Sequence, residues 1–161
     1  MKVGIIGCGN ISETYFNCQT IFNNFEIIAC ADINKEFATK SAEQFNVKAQ
    51  SVDDILSNKE IGLIINLTIP SAHKEIIVKS LNAGKHCFSE KPLAMNMEEG
   101  LEIQKLSSEK KLYVGCAPDT LAAVYVVLVC TPQAAYDSTA ETMLKVVPQA
   151  CQFHFGHLFP T

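Results

Sequence analysis

The residues best able to do chemistry in this chain stand in four short stretches. In the first, Gly7, Gly9, Asn10, Ile11 and Ser12 follow an apolar run (Val3, Ile5, Ile6) and lead at once into a helix-like pattern. Strand, glycine turn and helix in that order make a phosphate cradle. Gly7 permits the sharp turn, Gly9 lets a ligand approach closely, and the amides of Asn10, Ile11 and Ser12 point at a bound phosphate with the helix dipole behind them. Ser12 occupies the place where the dinucleotide fingerprint prefers Gly or Ala. The plainer alternative is a tight turn that merely needs two glycines. Asp32 lies 20 residues beyond Ser12. A carboxylate there can accept both ribose hydroxyls of an adenine nucleotide and repels a 2′-phosphate, whereas Lys35 nearby can pair with one. Helix capping is the competing role for Asp32. The remaining stretches are Thr68-Ile69-Pro70-Ser71-Ala72-His73 and Glu90-Lys91-Pro92. Taken singly they read as turn residues, a capping or packing histidine and a solvated ion pair.

The elements between these stretches decide how they meet. Helical spacing runs from Ile11 to about Phe22, and Phe25 to Ala31 is a nearly all-apolar strand. A helix over 34–45 places Phe37, Ala38, Ala42 and Phe45 on one face; 47–50 is a short strand, and Ser51 with Asp54 forms a capping box. The clearest buried strand is 61–67 (I-G-L-I-I-N-L). Pro70 halts it, Ser71 caps a helix through Leu81, and Gly84 stops that helix. His86 to Ser89 is the fifth strand, Asn96 with Glu99 caps a helix to about Lys110, and Leu112 to Cys116 is the sixth strand. This alternation predicts an α/β fold, a Rossmann-like doubly wound parallel sheet with helices on both faces. Ligands of such sheets bind beyond the carboxyl ends of the strands, where all the stretches above fall.

Together these stretches resemble one family. G-C-G-N-I-S at 7–12, A-D at 31–32, T-I-P-S-A-H at 68–73 and A-G-K-H-C-F-S-E-K-P-L-A at 83–94 are similar to the nucleotide-binding half of the Gfo/Idh/MocA oxidoreductases. The segment around Glu90-Lys91-Pro92 is the most specific part. The resemblance covers residues 1–120, which it marks as an NAD(P)-binding Rossmann domain. It implies that Gly7, Gly9, Asn10 and Ile11 hold the pyrophosphate and Asp32 the adenosine ribose. Thr68, Ile69, Pro70 and His73 would line the cleft, and Glu90 would contact the nicotinamide ribose. Lys91 would be the catalytic residue beside nicotinamide and substrate hydroxyl, preceding Pro92 through a cis peptide. The implied reaction is hydride transfer between a sugar- or cyclitol-like alcohol and the cofactor, NAD being favoured by Asp32 and NADP left open by Lys35. An ammonium at Lys91 would stabilise developing alkoxide.

Bulk properties narrow the alternatives. Thirteen lysines and no arginine stand against 17 acidic residues, a net charge of −4, with no basic stripe, so nucleic acid is not an expected partner. No apolar run is long enough for a membrane span. Seven scattered cysteines, an odd number with no C-x-x-C pair, point to a reducing, cytoplasmic setting and to no metal site. Cys8, Cys30 and Cys87 sit in or beside apolar runs, where a thiol packs as a small hydrophobe.

Residues 121–161 match the family poorly. Of the 30 charged residues 27 lie in 1–120, and the family's substrate domain finds no counterpart here. Ala122-Ala123-Val124 is what the glycine codons GGC-GGC-GGT give one base out of frame, so an out-of-frame tail on a truncated product is one expectation. A genuine alternative ending is the other, with 121–130 apolar and β-branched enough for an extra strand. His154 and His157 lack a third ligand nearby. The expected function is therefore that of a cofactor domain of an oxidoreductase, with little or no activity alone. The alternative is a non-catalytic nucleotide-binding module or inert fragment. A methyltransferase-like domain fits the glycine turn and Asp32 but not Glu90-Lys91-Pro92.

Overall fold

The structure is a computed structural model that describes residues 1–21 and 24–117 and the backbone of 128–129. Its elements run β1 (Lys2–Ile6), α1 (Ser12–Cys18), β2 (Glu26–Ala31), α2 (Lys35–Phe45), β3 (Lys48–Ala49), α3 (Val52–Ser57), β4 (Ile61–Asn66), α4 (Pro70–Asn82), β5 (His86–Ser89), α5 (Met97–Lys110), β6 (Val114–Cys116) and β7 (Leu128–Val129). The sheet order is β3-β2-β1-β4-β5-β6-β7. The first six strands are mutually parallel, and β7 joins β6 antiparallel. This is the doubly wound α/β arrangement expected from the alternation of strands and helices. The chain reverses direction across the sheet between β1 and β4, which leaves a crevice at their carboxyl ends.

Side-chain alternation along the strands builds a core on each face. Val3, Ile5, Leu63, Ile65 and Phe88 face α1 and α2. Ile6, Ile64, Cys87 and Val114 pack with Ile55 of α3, Ile77 and Leu81 of α4 and Ile103 of α5. Phe16 stacks on Phe45 at 4.4 Å and pins α1 to α2. Burial on both faces explains the nearly continuous apolar runs of the central strands.

Local signals explain most boundaries. Asn34 and Asn96 cap α2 and α5 by accepting from the amides of Glu36 and Glu99, and Ser51 with Asp54 makes the expected capping box. Four expectations need correction. Helix α1 ends at Cys18, because Thr20 Oγ1 turns back to the carbonyl of Asn17 and closes a tight turn; Phe22 lies outside the described residues. Ser71 does not cap α4; the helix already begins at Pro70, whose fixed φ suits the first helical position. Phe37 is not on the buried face of α2 but half exposed, lining a cavity beside Gly9 and Asn10. Residues 112–113 precede β6 rather than belonging to it. Within 121–130 the two residues of β7 pair with β6; the rest of the tail, with His154 and His157, lies outside the described residues.

Lys85 is buried, its Nζ donating to the carbonyls of Asn58 and Ile61 at 2.7 Å each. The described cysteines are free, with Cys8, Cys30 and Cys87 buried as expected. Burial pushes the thiols of Cys18 and Cys116 up to about 11 and that of Cys87 up to about 12, from an ordinary 9.0. The folded chain therefore holds protons that the unfolded chain releases above pH 9. The resulting stability is complete below pH 9 and is lost as pH rises toward 11–12, at up to about 1.4 kcal/mol per pH unit per thiol. The Lys85 amine and the Cys8 thiol are lowered and act in the opposite sense, but the thiol of Cys30 is raised as well, so two groups stand against four. The melting temperature, followed by circular dichroism from pH 8 to 10.5, is expected to fall steadily above pH 9. A flat profile would contradict this.

Candidate functional site

The first part of the site is the turn after β1. Gly7 has φ +104°, and a Cβ built on it would lie 2.5 Å from the backbone C and O of Leu67 and 2.8 Å from the amide nitrogen of Thr68. The turn thus presses directly on the end of β4, at the reversal point of the sheet. Gly7 donates to the carbonyl of Ala31 at 2.8 Å, and Asp32 Oδ2 accepts from the amide of Cys8 at 2.7 Å. Asp32 Oδ1 accepts from the amide of Asn34 at 2.8 Å. Asp32 therefore does not cap α2, which Asn34 does; it clamps the glycine turn to the end of β2. Each of its oxygens keeps a lone pair for a further donor.

A Cβ on Gly9 would meet nothing within 4 Å, so the space expected for a ligand is open. The amides of Asn10 and Ile11 have no acceptor among the described residues. The Ser12 amide differs from expectation: it and Ser12 Oγ both donate to the carbonyl of Gly9, at 2.9 and 2.7 Å, because the chain tightens into α1 there. Ile33 and Ile69 are exposed on either side of the turn. Lys35 is exposed as well. The Cys8 thiol is lowered by a hydrogen bond with Cys30, which is itself raised by the same contact.

The second part ties β4 to β5. Asn66 is fully buried at the end of β4. Its Nδ2 donates to the carbonyl of His73 and to Ser89 Oγ, both at 3.2 Å. Its Oδ1 accepts from the amide of Thr68 at 3.3 Å and from Thr68 Oγ1 at 2.7 Å. Its carbonyl accepts from the amide of Glu90 at 2.9 Å. His73, only 1% exposed, turns inward rather than lining the cleft. Its Nδ1 lies 2.6 Å from the carbonyl of Pro92 and its Nε2 2.9 Å from that of Thr68. Thr68 is half-buried, whereas Ile69 and Pro70 are exposed. Glu90 Oε1 accepts from Tyr15 Oη, and Oε2 from the amide of Lys91 at 3.2 Å. The Lys91–Pro92 peptide is cis, as expected. Lys91 is exposed, and its Nζ has no acceptor among the described residues.

The two parts form an open shelf along the carboxyl edge, with a cavity of about 190 Å³ lined by Gly9, Asn10, Phe37 and Ser41 at one end. Two larger cavities accompany it: one of about 380 Å³ beside Lys2, Glu26 and Glu60 at the opposite edge, and one of about 440 Å³ that starts at Asn10 and runs along α1 past Thr14 and Asn17. The shelf, not the volume, carries the reactive groups. Among the described residues no cluster of three His, Cys, Asp or Glu side chains could hold a metal ion, and no helix is long and apolar enough to cross a membrane.

The family model described as "Oxidoreductase family, NAD-binding Rossmann fold" matches residues 1–118. The chain belongs to the Gfo/Idh/MocA oxidoreductase family. Glucose-6-phosphate 3-dehydrogenase of Bacillus subtilis is 33% identical over 111 residues, which span 68% of this chain and 31% of that protein. Inositol 2-dehydrogenase/D-chiro-inositol 3-dehydrogenase of Lactiplantibacillus plantarum is 32% identical over 115 residues, 69% of this chain and 32% of that protein. Among solved structures, biliverdin reductase of Synechocystis in complex with biliverdin and NADP+ superposes with a TM-score of 0.68 at 27% identity, over 72% of this chain and 37% of that one. This Gfo/Idh/MocA chain spans about a third of the length of the curated relatives it matches.

Four residues of the shelf escape sequence reasoning. Asn66 leaves a visible trace, a lone amide ending an otherwise apolar strand. Ile33, an isoleucine directly after Asp32 in a turn, is a fainter one. Tyr15 and Ser89 leave none, since Tyr15 reads as core and meets Glu90 from 75 residues away.

Proposed function

We propose that this chain binds a nicotinamide dinucleotide along the carboxyl edge of its sheet and serves hydride transfer at a secondary alcohol of sugar or cyclitol type. The observation that carries the reading is the convergence of the Gly7 turn, Asp32 and the Glu90-Lys91-Pro92 turn on that one edge. The residues fit such a group: unfilled amides at Asn10 and Ile11 and open space at Gly9 suit a pyrophosphate. Spare lone pairs on Asp32 suit ribose hydroxyls, and Ile33 and Ile69 offer exposed apolar surface to a base. When bound, the dinucleotide supplies the hydride donor or acceptor. Glu90, steadied by Tyr15, accepts from the second ribose. Lys91 Nζ, as an ammonium, donates to the substrate oxygen and stabilises negative charge developing there.

Asp32 sets the preference for NADH, since its charge repels a 2′-phosphate, while Lys35 moderates it. Titration calorimetry is expected to give tighter binding of NADH than NADPH, and Asp32→Asn is expected to narrow that preference about tenfold, the effect of losing roughly 1.4 kcal/mol of repulsion. An unchanged preference would remove Asp32 from the site. The described residues supply the cofactor half of a reaction site, so the 161-residue chain alone is expected to turn over poorly or not at all. Substrate-dependent NADH formation by the purified chain would refute that. Binding without turnover under any alcohol is the behaviour of a non-catalytic nucleotide module.

A further inference from the structure

His73 is placed to do more than pack. Both of its ring nitrogens face main-chain carbonyls, Pro92 at 2.6 Å and Thr68 at 2.9 Å. A carbonyl oxygen only accepts, and a neutral imidazole carries a single N–H. A neutral ring would set its bare lone pair against one of these oxygens. Only a ring with both protons donates at both ends. With 1% exposure there is no solvent to take either carbonyl's place.

The surroundings fix this ring firmly. The carbonyl of His73 is held by Asn66 Nδ2, and the same amide group binds Thr68 and Ser89. Of the charged groups on the neighbouring elements, Lys74 is paired with Glu102 of α5 at 2.7 Å. Glu90 is engaged by Tyr15 and by the amide of Lys91, and Lys91 projects outward. Among the described residues no carboxylate contacts the ring, so the two carbonyls are its partners. Those carbonyls belong to the loop after β4 and the turn after β5, which reach the shelf from separate strands. The glycine turn and Asp32, by contrast, are tied to each other and not to His73.

We infer that His73 is a cationic clasp, a positioning residue that sets the Lys91-Pro92 turn against Thr68 and so fixes the nicotinamide end of the site. The adenosine end is left to Gly7, Ile11 and Asp32. The inference rests on the proposed function, and its test separates the two.

Nitrogen-15 spectra of the histidine-labelled chain at pH 7 are expected to show two proton-bearing nitrogens for His73; one bare nitrogen would overturn the clasp. NADH and ADP are then titrated into the wild type and His73→Phe. ADP covers only the adenosine and pyrophosphate end. The variant is expected to weaken NADH about tenfold and ADP less than twofold, the loss of one charged hydrogen bond being worth about a factor of ten. Equal losses for both ligands, or none for either, would overturn the positioning role. If His73→Phe does not fold, His73→Gln, which keeps one donor, is expected to show a smaller loss confined to NADH, and a loss shared with ADP would count against the clasp. A wild type that binds ADP but not NADH would sink the nicotinamide reading itself, and the ring spectrum then decides the clasp independently.

Discussion

Gly7→Ala is expected to destabilise the chain by about 3–5 kcal/mol and to remove dinucleotide binding with it. Two costs combine. The backbone at φ +104° is one that an L side chain rarely adopts, and the new Cβ would stand 2.5 Å from the carbonyl carbon and oxygen of Leu67. Those atoms are main chain of the strand next door, not the end of a flexible side chain, so they cannot step aside. Relief requires moving the end of β1 away from β4, which strains the hydrogen bonds from Leu67 to Ile6 (2.7 Å) and from Gly7 to Ala31 (2.8 Å). Against a total stability of about 5–15 kcal/mol this is a large fraction. Urea unfolding measures it, and a loss below about 1 kcal/mol would contradict the packing. Gly9→Ala is the control. Its Cβ meets nothing within 4 Å, so stability is expected to stay within about 0.5 kcal/mol while dinucleotide affinity drops. That pair of outcomes separates a glycine the fold needs from one the ligand needs.

Asn66→Leu is expected to cost about 2–4 kcal/mol despite the added apolar side chain. Leucine branches at the same carbon as asparagine and is bulkier, so no cavity opens. What is lost is the partner of four groups: the amide and hydroxyl of Thr68, the hydroxyl of Ser89 and the carbonyl of His73. The Ser89 hydroxyl and the His73 carbonyl are held where water has little access and Thr68 is half-buried, and a buried polar network loses more than its separate bonds when its centre is removed. The affected groups also set the Thr68 loop and the approach to Glu90, so NADH affinity is expected to fall beyond what unfolding explains. Chemical denaturation together with calorimetry checks both parts. A variant as stable as the wild type would show that Asn66 is not the hub of this network.

How much of this was legible in the chain can be judged from particular residues. The strands were, because a parallel sheet covered on both faces demands runs such as Ile61–Asn66, and the caps at Asn34, Ser51 and Asn96 are short-range chemistry. The parallel, doubly wound arrangement followed from the alternation of strands and helices, and with it the placing of Gly7, Thr68 and Glu90 at the carboxyl ends of strands; the strand order came only with the structure. What escaped was long-range pairing. Nothing in the local pattern tells that Tyr15 meets Glu90 or that His73 faces Pro92 across 19 residues. Phe37 was misplaced for a related reason. Helical spacing assigns a face, but the end of α2 beside the glycine turn stands clear of the sheet.

The central claim is that a nicotinamide dinucleotide lies along the carboxyl edge of the sheet. Amide chemical-shift mapping of the chain titrated with NADH tests it most directly. Saturable shifts concentrated at Cys8–Ile11, Asp32–Asn34, Thr68–Ile69 and Glu90–Lys91 are predicted. No saturable shifts, or shifts clustered instead around Lys2, Glu26 and Glu60 at the opposite edge, would contradict it.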